Sequence, residues 1–122
     1  MIKTQSATCY RWNELPKDVP MPKLERRRII GSQMMISQVH LQKGCHVPTH
    51  AHENEQFACI MSGELLFGIG EEGSPERHEI RVKAGEILHL PPNVPHSADA
   101  VVDTLVIDLF SPPSERTGID RH

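Results

Sequence analysis

The chain has 122 residues, and its 38% hydrophobic share is enough for one packed domain. A formal charge of −3, with no basic run longer than Arg26-Arg27-Arg28, argues against nucleic acid as a main partner. No apolar run is long enough to span a bilayer, and the start, Met1-Ile2-Lys3-Thr4-Gln5-Ser6, lacks the hydrophobic core of a secretory leader.

A cytoplasmic location is therefore expected. Cys9, Cys45 and Cys59 form an odd set with no tight pairing pattern, so they read as free thiols in a reducing compartment. Cys45 lies close to the histidine-rich stretch described below, but no imidazole stands at a fixed nucleophile spacing from it.

Residues 1–28 read as an N-terminal segment packing on the main body. Residues 11–16 suggest a short strand leading into a turn, and prolines at 16, 20 and 22 forbid a long helix there. Trp12, the only tryptophan, suits packing at an edge or a subunit contact better than stacking on a substrate. From residue 29 to residue 113 the pattern is strand, turn, strand. Residues 29–41 are rich in β-branched side chains and methionine, and Lys43-Gly44 is a turn. Residues 56–61 are strongly apolar, with Cys59 expected in the core alongside Phe57 and Met61. Ser62-Gly63 turns the chain into residues 64–70, and residues 71–76 make a polar hairpin tip. Residues 78–82 and 86–90 follow as strands, separated by the turn at 83–85. Pro91-Pro92-Asn93-Val94-Pro95 is a stiff bend. Residues 101–110 form the last strand, stopped by Ser111-Pro112-Pro113, and residues 114–122 make a loosely held tail. Short strands with Gly and Pro turns and no amphipathic helix predict an all-β antiparallel sandwich or barrel.

The chemistry concentrates in two places. His50, His52 and Gln56 fall at i, i+2 and i+6, which share one face if the chain is extended. His96 follows the second glycine-led stretch, 85–96. Three neutral imidazoles and an amide oxygen are a ligand set for a divalent transition metal: nickel, iron, manganese, cobalt or zinc. His40, His46, His78 and His89 have no partner pattern and read as surface or packed histidines. In the last strand Thr104, Val106, Asp108 and Phe110 share a face. An aspartate among apolar residues needs a reason. Asp108 is either a proton-transfer group lining a cavity, with Phe110 closing the wall, or a strand-end carboxylate capped by backbone or paired with an arginine.

Gly44-x5-His50-x-His52-x3-Gln56-x6-Gly63 resembles the first cupin motif, with Gln in place of the usual Glu. Gly85-x5-Pro91-x-Asn93-x2-His96 resembles the second, with Asn where Gly is common and Ala100 where the family has Asn. The resemblance implies a small jelly-roll β-barrel (a double-stranded β-helix), a homodimer, and one metal held inside by His50, His52, Gln56 and His96. Asn93-Val94-Pro95-His96-Ser97 and Asp108-Leu109-Phe110-Ser111-Pro112-Pro113 are similar to the pectin-degradation (KdgF-type) cupins. Those convert unsaturated uronate monomers to a linear keto form, which implies roles for Asp108 in proton transfer and for Phe110 in the substrate pocket. The family places an arginine directly after Ser-Pro-Pro, where this chain has Ser114. A uronate carboxylate calls for a guanidinium, and Arg116, or one of Arg26, Arg27 and Arg28, is the candidate.

Three functions are expected in order. The first is metal-dependent isomerisation, tautomerisation or ring opening of a small oxygenated substrate such as a sugar acid. An amide in place of the carboxylate ligand leaves the full dipositive charge for Lewis-acid work. The second is an iron-dependent dioxygenase of the same fold, and the third a non-catalytic module that binds a small ligand.

Overall fold

The computed structural model describes residues 6–117 and Ile119. A 3-10 turn, Trp12–Glu14, stands in place of the short strand expected there, and the regular elements that follow it from Asp18 to Ser111 are all β. The strands are β1 (Asp18–Met21), β2 (Leu24–Ile30), β3 (Met35–Leu41), β4 (His46–His50), β5 (Glu55–Ser62), β6 (Glu64–Ile69), β7 (His78–Lys83), β8 (Ile87–Leu90), β9 (His96–Ala100) and β10 (Thr104–Ser111). They form a six-stranded sheet in the order β1-β2-β3-β10-β5-β8 and a four-stranded sheet in the order β4-β9-β6-β7. Every pairing is antiparallel. The two sheets enclose the core, giving the expected jelly roll. No helix among the described residues is long and apolar enough to cross a membrane.

The strand pattern decides which residues face inward. In β10 buried and half-buried positions alternate from Thr104 to Phe110. In β3 the inward set is Met35, Ser37, Val39 and Leu41. Leu24, Ile60, Leu90 and Val106 are each 2% exposed or less. Burying a side chain of that size contributes about 1.5–3 kcal/mol. Turns between strands use left-handed residues. Gly63 has φ +88°, and a Cβ there would run into the Asp103 carbonyl and Thr104. Asn93, where a glycine is common, holds φ +66°, a conformation asparagine tolerates better than most side chains.

The sheet boundaries depart from the sequence reading in three places. Residues 29–41 are not one strand: the chain turns through Gly31, whose N–H donates to the Met34 carbonyl, and β2 begins at Leu24. Residues 18–28 thus supply one whole strand and most of another rather than packing on the barrel from outside. Cys59 is not a core residue. It lies half-buried on the outer face with Phe57 and Met61, while Ala58 and Ile60 face in. The tail, expected to hang loosely, touches the barrel toward the end of its described part: Thr117 is buried and Ile119 packs on the core.

Candidate metal centre

His50, His52 and Gln56 do not lie on one extended strand. His50 ends β4 in the smaller sheet, Gln56 lies near the start of β5 in the larger, and His52 sits in the connection crossing between them. The side chains converge because the chain changes sheets at this point, not because of a two-residue period. His96 opens β9 and stands directly across from His50 in the β4–β9 ladder. Ring centroids are 4.3 Å apart for His50 and His96, 5.1 Å for His52 and His96, and 5.6 Å for His50 and His52. One nitrogen from each ring lies within 4.8 Å of the others, a grouping that can hold a metal ion.

Main-chain carbonyls orient all three rings. Nδ1 of His50 donates to the Pro48 carbonyl (2.8 Å), Nδ1 of His52 to Asn54 (3.0 Å) and Nδ1 of His96 to Val94 (2.9 Å). A carbonyl oxygen only accepts, so Nδ1 carries the proton in each ring and Nε2 carries the lone pair. This is how proteins prepare imidazoles as ligands. His52 Nε2 lies 3.1 Å from Gln56 Oε1, an acceptor facing an acceptor. A cation between them makes that approach favourable. Two neighbouring ligands held about 2.1 Å from one ion at a right angle would be about 3.0 Å apart. The donor set and its geometry therefore fit a divalent metal held by His50, His52, His96 and Gln56.

Gln56 also faces away from the cluster. Its Nε2 donates to Asp108 Oδ1 at 2.9 Å, and both residues are buried. Among the described residues the carboxyl is neither capped by backbone nor paired with an arginine; its partner is this amide. Burial pushes Asp108 up to about 7, against the pull of the Gln56 hydrogen bond. Burial likewise holds His96 down to about 4, assisted by the other two imidazoles and opposed by the Val94 carbonyl. His96 thus stays neutral well below neutral pH, ready to accept a cation. Phe110 meets the His52 ring edge-on at 5.7 Å between centroids.

These groups line a cavity of about 50 Å³ between the sheets. Six of the seven site residues foreseen from the sequence meet there: His50, His52, Gln56, His96, Asp108 and Phe110. Arg116 does not. It is exposed and outside the cavity wall, its backbone N–H bonded to Ser114 Oγ. Of the other basic candidates, Arg26 is buried in a two-point pair with Asp18 (2.7 and 3.2 Å), Arg27 faces outward, and Arg28 donates to the Glu115 carbonyl. His46 is exposed and pairs with Asp99, and His89 pairs with Glu55. Cys45 is buried in the core, its thiol pushed up by burial, which suits packing and not nucleophilic work. Sequence reasoning missed Asn54, Thr117 and Ile119. None carries a periodic or motif signal, and each matters only because of where the chain passes.

Comparison with known proteins agrees with this geometry. The family model described as "Cupin domain" matches residues 37–108. A 3-hydroxyanthranilate 3,4-dioxygenase of Xanthomonas euvesicatoria is 32% identical over 72 residues, covering 57% of this chain and 40% of that protein. The chain therefore spans less than half the length of the curated relatives it matches. KdgF from a Halomonas species superposes with a TM-score of 0.77 at 25% identity, covering 88% of this chain and 97% of the other. An RmlC-like cupin from Shewanella frigidimarina gives a TM-score of 0.78 at 23% identity over 91% and 96% of the two chains, a likeness of fold. A family match over more than half the chain, on a two-sheet barrel with its histidines gathered inside, establishes that this protein belongs to the cupin family.

Proposed function

We propose that this protein is a metal-dependent enzyme that moves a proton on a small oxygenated substrate, a sugar acid such as an unsaturated uronate being the leading class. The observation that carries the reading is the buried Asp108 carboxyl, held by the Gln56 amide at 2.9 Å beside the three gathered imidazoles. A bound divalent ion would supply Lewis acidity toward a carbonyl or enol oxygen. His50, His52, His96 and Gln56 would hold it without contributing negative charge. Asp108, poised near neutral pH, can both take and return a proton, as tautomerisation or ring opening requires. Gln56 fixes the carboxyl's position, and Phe110 excludes water from one side. The resemblance of the sequence motifs to pectin-degradation cupins and the likeness to KdgF support the substrate class. Proton-exchange NMR of the metal-loaded protein with unsaturated uronates tests it: exchange and conversion that vanish in Asp108→Asn are expected, and no exchange with any uronate refutes this form of the proposal.

The similarity to 3-hydroxyanthranilate dioxygenases favours a second reading, iron-dependent oxygen insertion. Oxygen consumption by the iron-loaded protein separates the two, since tautomerisation consumes none.

We also infer a homodimer through the outer face of the six-stranded sheet. Phe57, Met61 and Ile87 are exposed on that face, and Arg27 Nε is enclosed there with no hydrogen-bond partner among the described residues. A buried donor without an acceptor is costly, and a carboxylate from a second copy removes the cost. Light scattering should give twice the chain mass, and Arg27→Glu should shift it toward the monomer. A monomeric wild type refutes the inference.

A further inference from the structure

The cavity holding the histidines is too small for the organic substrates its chemistry invites. Its 50 Å³ admits an ion with about one water, which takes about 30 Å³. Small-molecule sites are usually about 300–1,000 Å³. Most of the wall is fixed by strand ladders on β3, β5, β9 and β10. One part is not. Among the described residues no strand follows β10, and Thr117 and Ile119 lie in the cavity lining. Thr117 is only 3% exposed, and Ile119 packs against the core.

Among the described residues, the side chains of Asn54 and Arg28 tie this stretch down through its carbonyl oxygens. Asn54, buried in the loop between His52 and Gln56, donates to Pro112. Arg28, on β2, donates from Nη1 to Glu115 at 2.9 Å. Arg28 is separated from Asp108 across the sheet only by Ser37, so its tie crosses the same end of the barrel as the carboxyl. The first tie joins the stretch to the ligand-bearing loop. The second is exposed and is the easier to break.

We propose that residues 112–117, with Ile119, form a displaceable wall of the metal cavity that sets the size of molecule reaching the histidines, and that Arg28 is its latch. Closed, the wall admits water and small diatomic or triatomic molecules. Released at Glu115, it withdraws Thr117 and Ile119 together and opens the cavity toward substrate size. The proposal rests on the preceding reading only for what the wall guards; its geometry stands without a metal or a reaction.

The test uses the metal-free full chain and no turnover. Diethyl pyrocarbonate, which modifies neutral imidazoles and is larger than the 50 Å³ cavity, is applied while mass spectrometry follows each histidine. In the wild type, His52 and His96 should react at least about ten-fold more slowly than the exposed His78. Arg28→Ala should raise their rates about ten-fold, on the order expected for losing a hydrogen bond from a charged donor. Ile119→Gly should do the same by removing the plug while leaving the latch. Arg81→Ala, which removes a surface charge from the outer strand β7, in the sheet opposite Arg28, should leave the rates unchanged, and His78 should react alike in all four proteins. Wild-type His52 and His96 as reactive as His78, or rates unmoved by both Arg28→Ala and Ile119→Gly, overturn the proposal. A wall that opens in a protein that turns over no uronate would instead sink the substrate assignment and leave the wall standing.

Discussion

Replacing Asp108 by Asn should change how the stability of the metal-free protein responds to pH. An unfolded Asp titrates near 3.8 and the folded Asp108 near 7, so between those values the folded state holds a proton the unfolded state has lost. Stability from this group is complete below about pH 4 and falls as pH rises toward 7. His96 runs the other way. Folded it titrates near 4 and unfolded near 6.5, so in that window the unfolded state holds the extra proton and stability rises with pH. At roughly 1.4 kcal/mol per pH unit, Asp108 removes up to about 4 kcal/mol and His96 returns about 3, so their effects nearly cancel in the wild type. Asn mimics the neutral acid and keeps an oxygen for Gln56, leaving only the rising limb. The stability of Asp108→Asn relative to wild type should therefore climb by about 3–4 kcal/mol between pH 4.5 and 7.5. Urea unfolding with a chelator present, at three pH values across that range, measures it. A difference that stays constant within about 0.5 kcal/mol would mean that burial does not perturb Asp108 and that its poised proton is not available for chemistry. Repeating the series with a divalent ion should shrink the difference, because a nearby dication favours the carboxylate.

Gln56→Glu should couple two carboxyls where an amide now meets Asp108 at 2.9 Å. Without metal the pair must share a proton, and its unfolding midpoint at pH 8 should fall below that at pH 5; an unchanged midpoint would show that the two groups do not interact. Phe110→Ala, at a site 4% exposed, should cost about 3–5 kcal/mol in urea unfolding. A loss under about 1 kcal/mol would place that ring outside the core. Gly63→Ala meets both a left-handed φ and a backbone contact, and a loss of roughly 2–3 kcal/mol is expected by the same assay.

The strands that flank the site were legible because β-periodicity is strong wherever one face is buried: β10 alternates from residue 104 to residue 110 and β3 does so from 35 to 41. Reading residues 29–41 as one strand failed because the turn at Gly31 sits among residues of high β-propensity, and only the register of β2 against β3 separates them. Cys59 was misread for a related reason. Two residues either side of it are apolar, as are its immediate neighbours Ala58 and Ile60, so composition alone could not say which set faced in. His50, His52, Gln56 and His96 could be found because ligand chemistry restricts residue types whatever the local backbone does. The period-two argument for them reached the right side chains by a wrong route, since the chain changes sheets between His50 and Gln56. Thr117 and Ile119 could not be found: a short polar tail has no pattern that says which surface it crosses.

The central claim is that imidazoles from β4, the loop after it and β9 bind one cation inside the barrel. Elemental analysis after cobalt loading and exhaustive dialysis tests it, run on the wild type and on His50→Ala, His52→Ala and His96→Ala with circular dichroism as a check of fold. One ion per wild-type chain, falling close to zero in each folded variant, is the expected result. A wild type that retains no ion, or histidine variants that retain as much as the wild type, would contradict it.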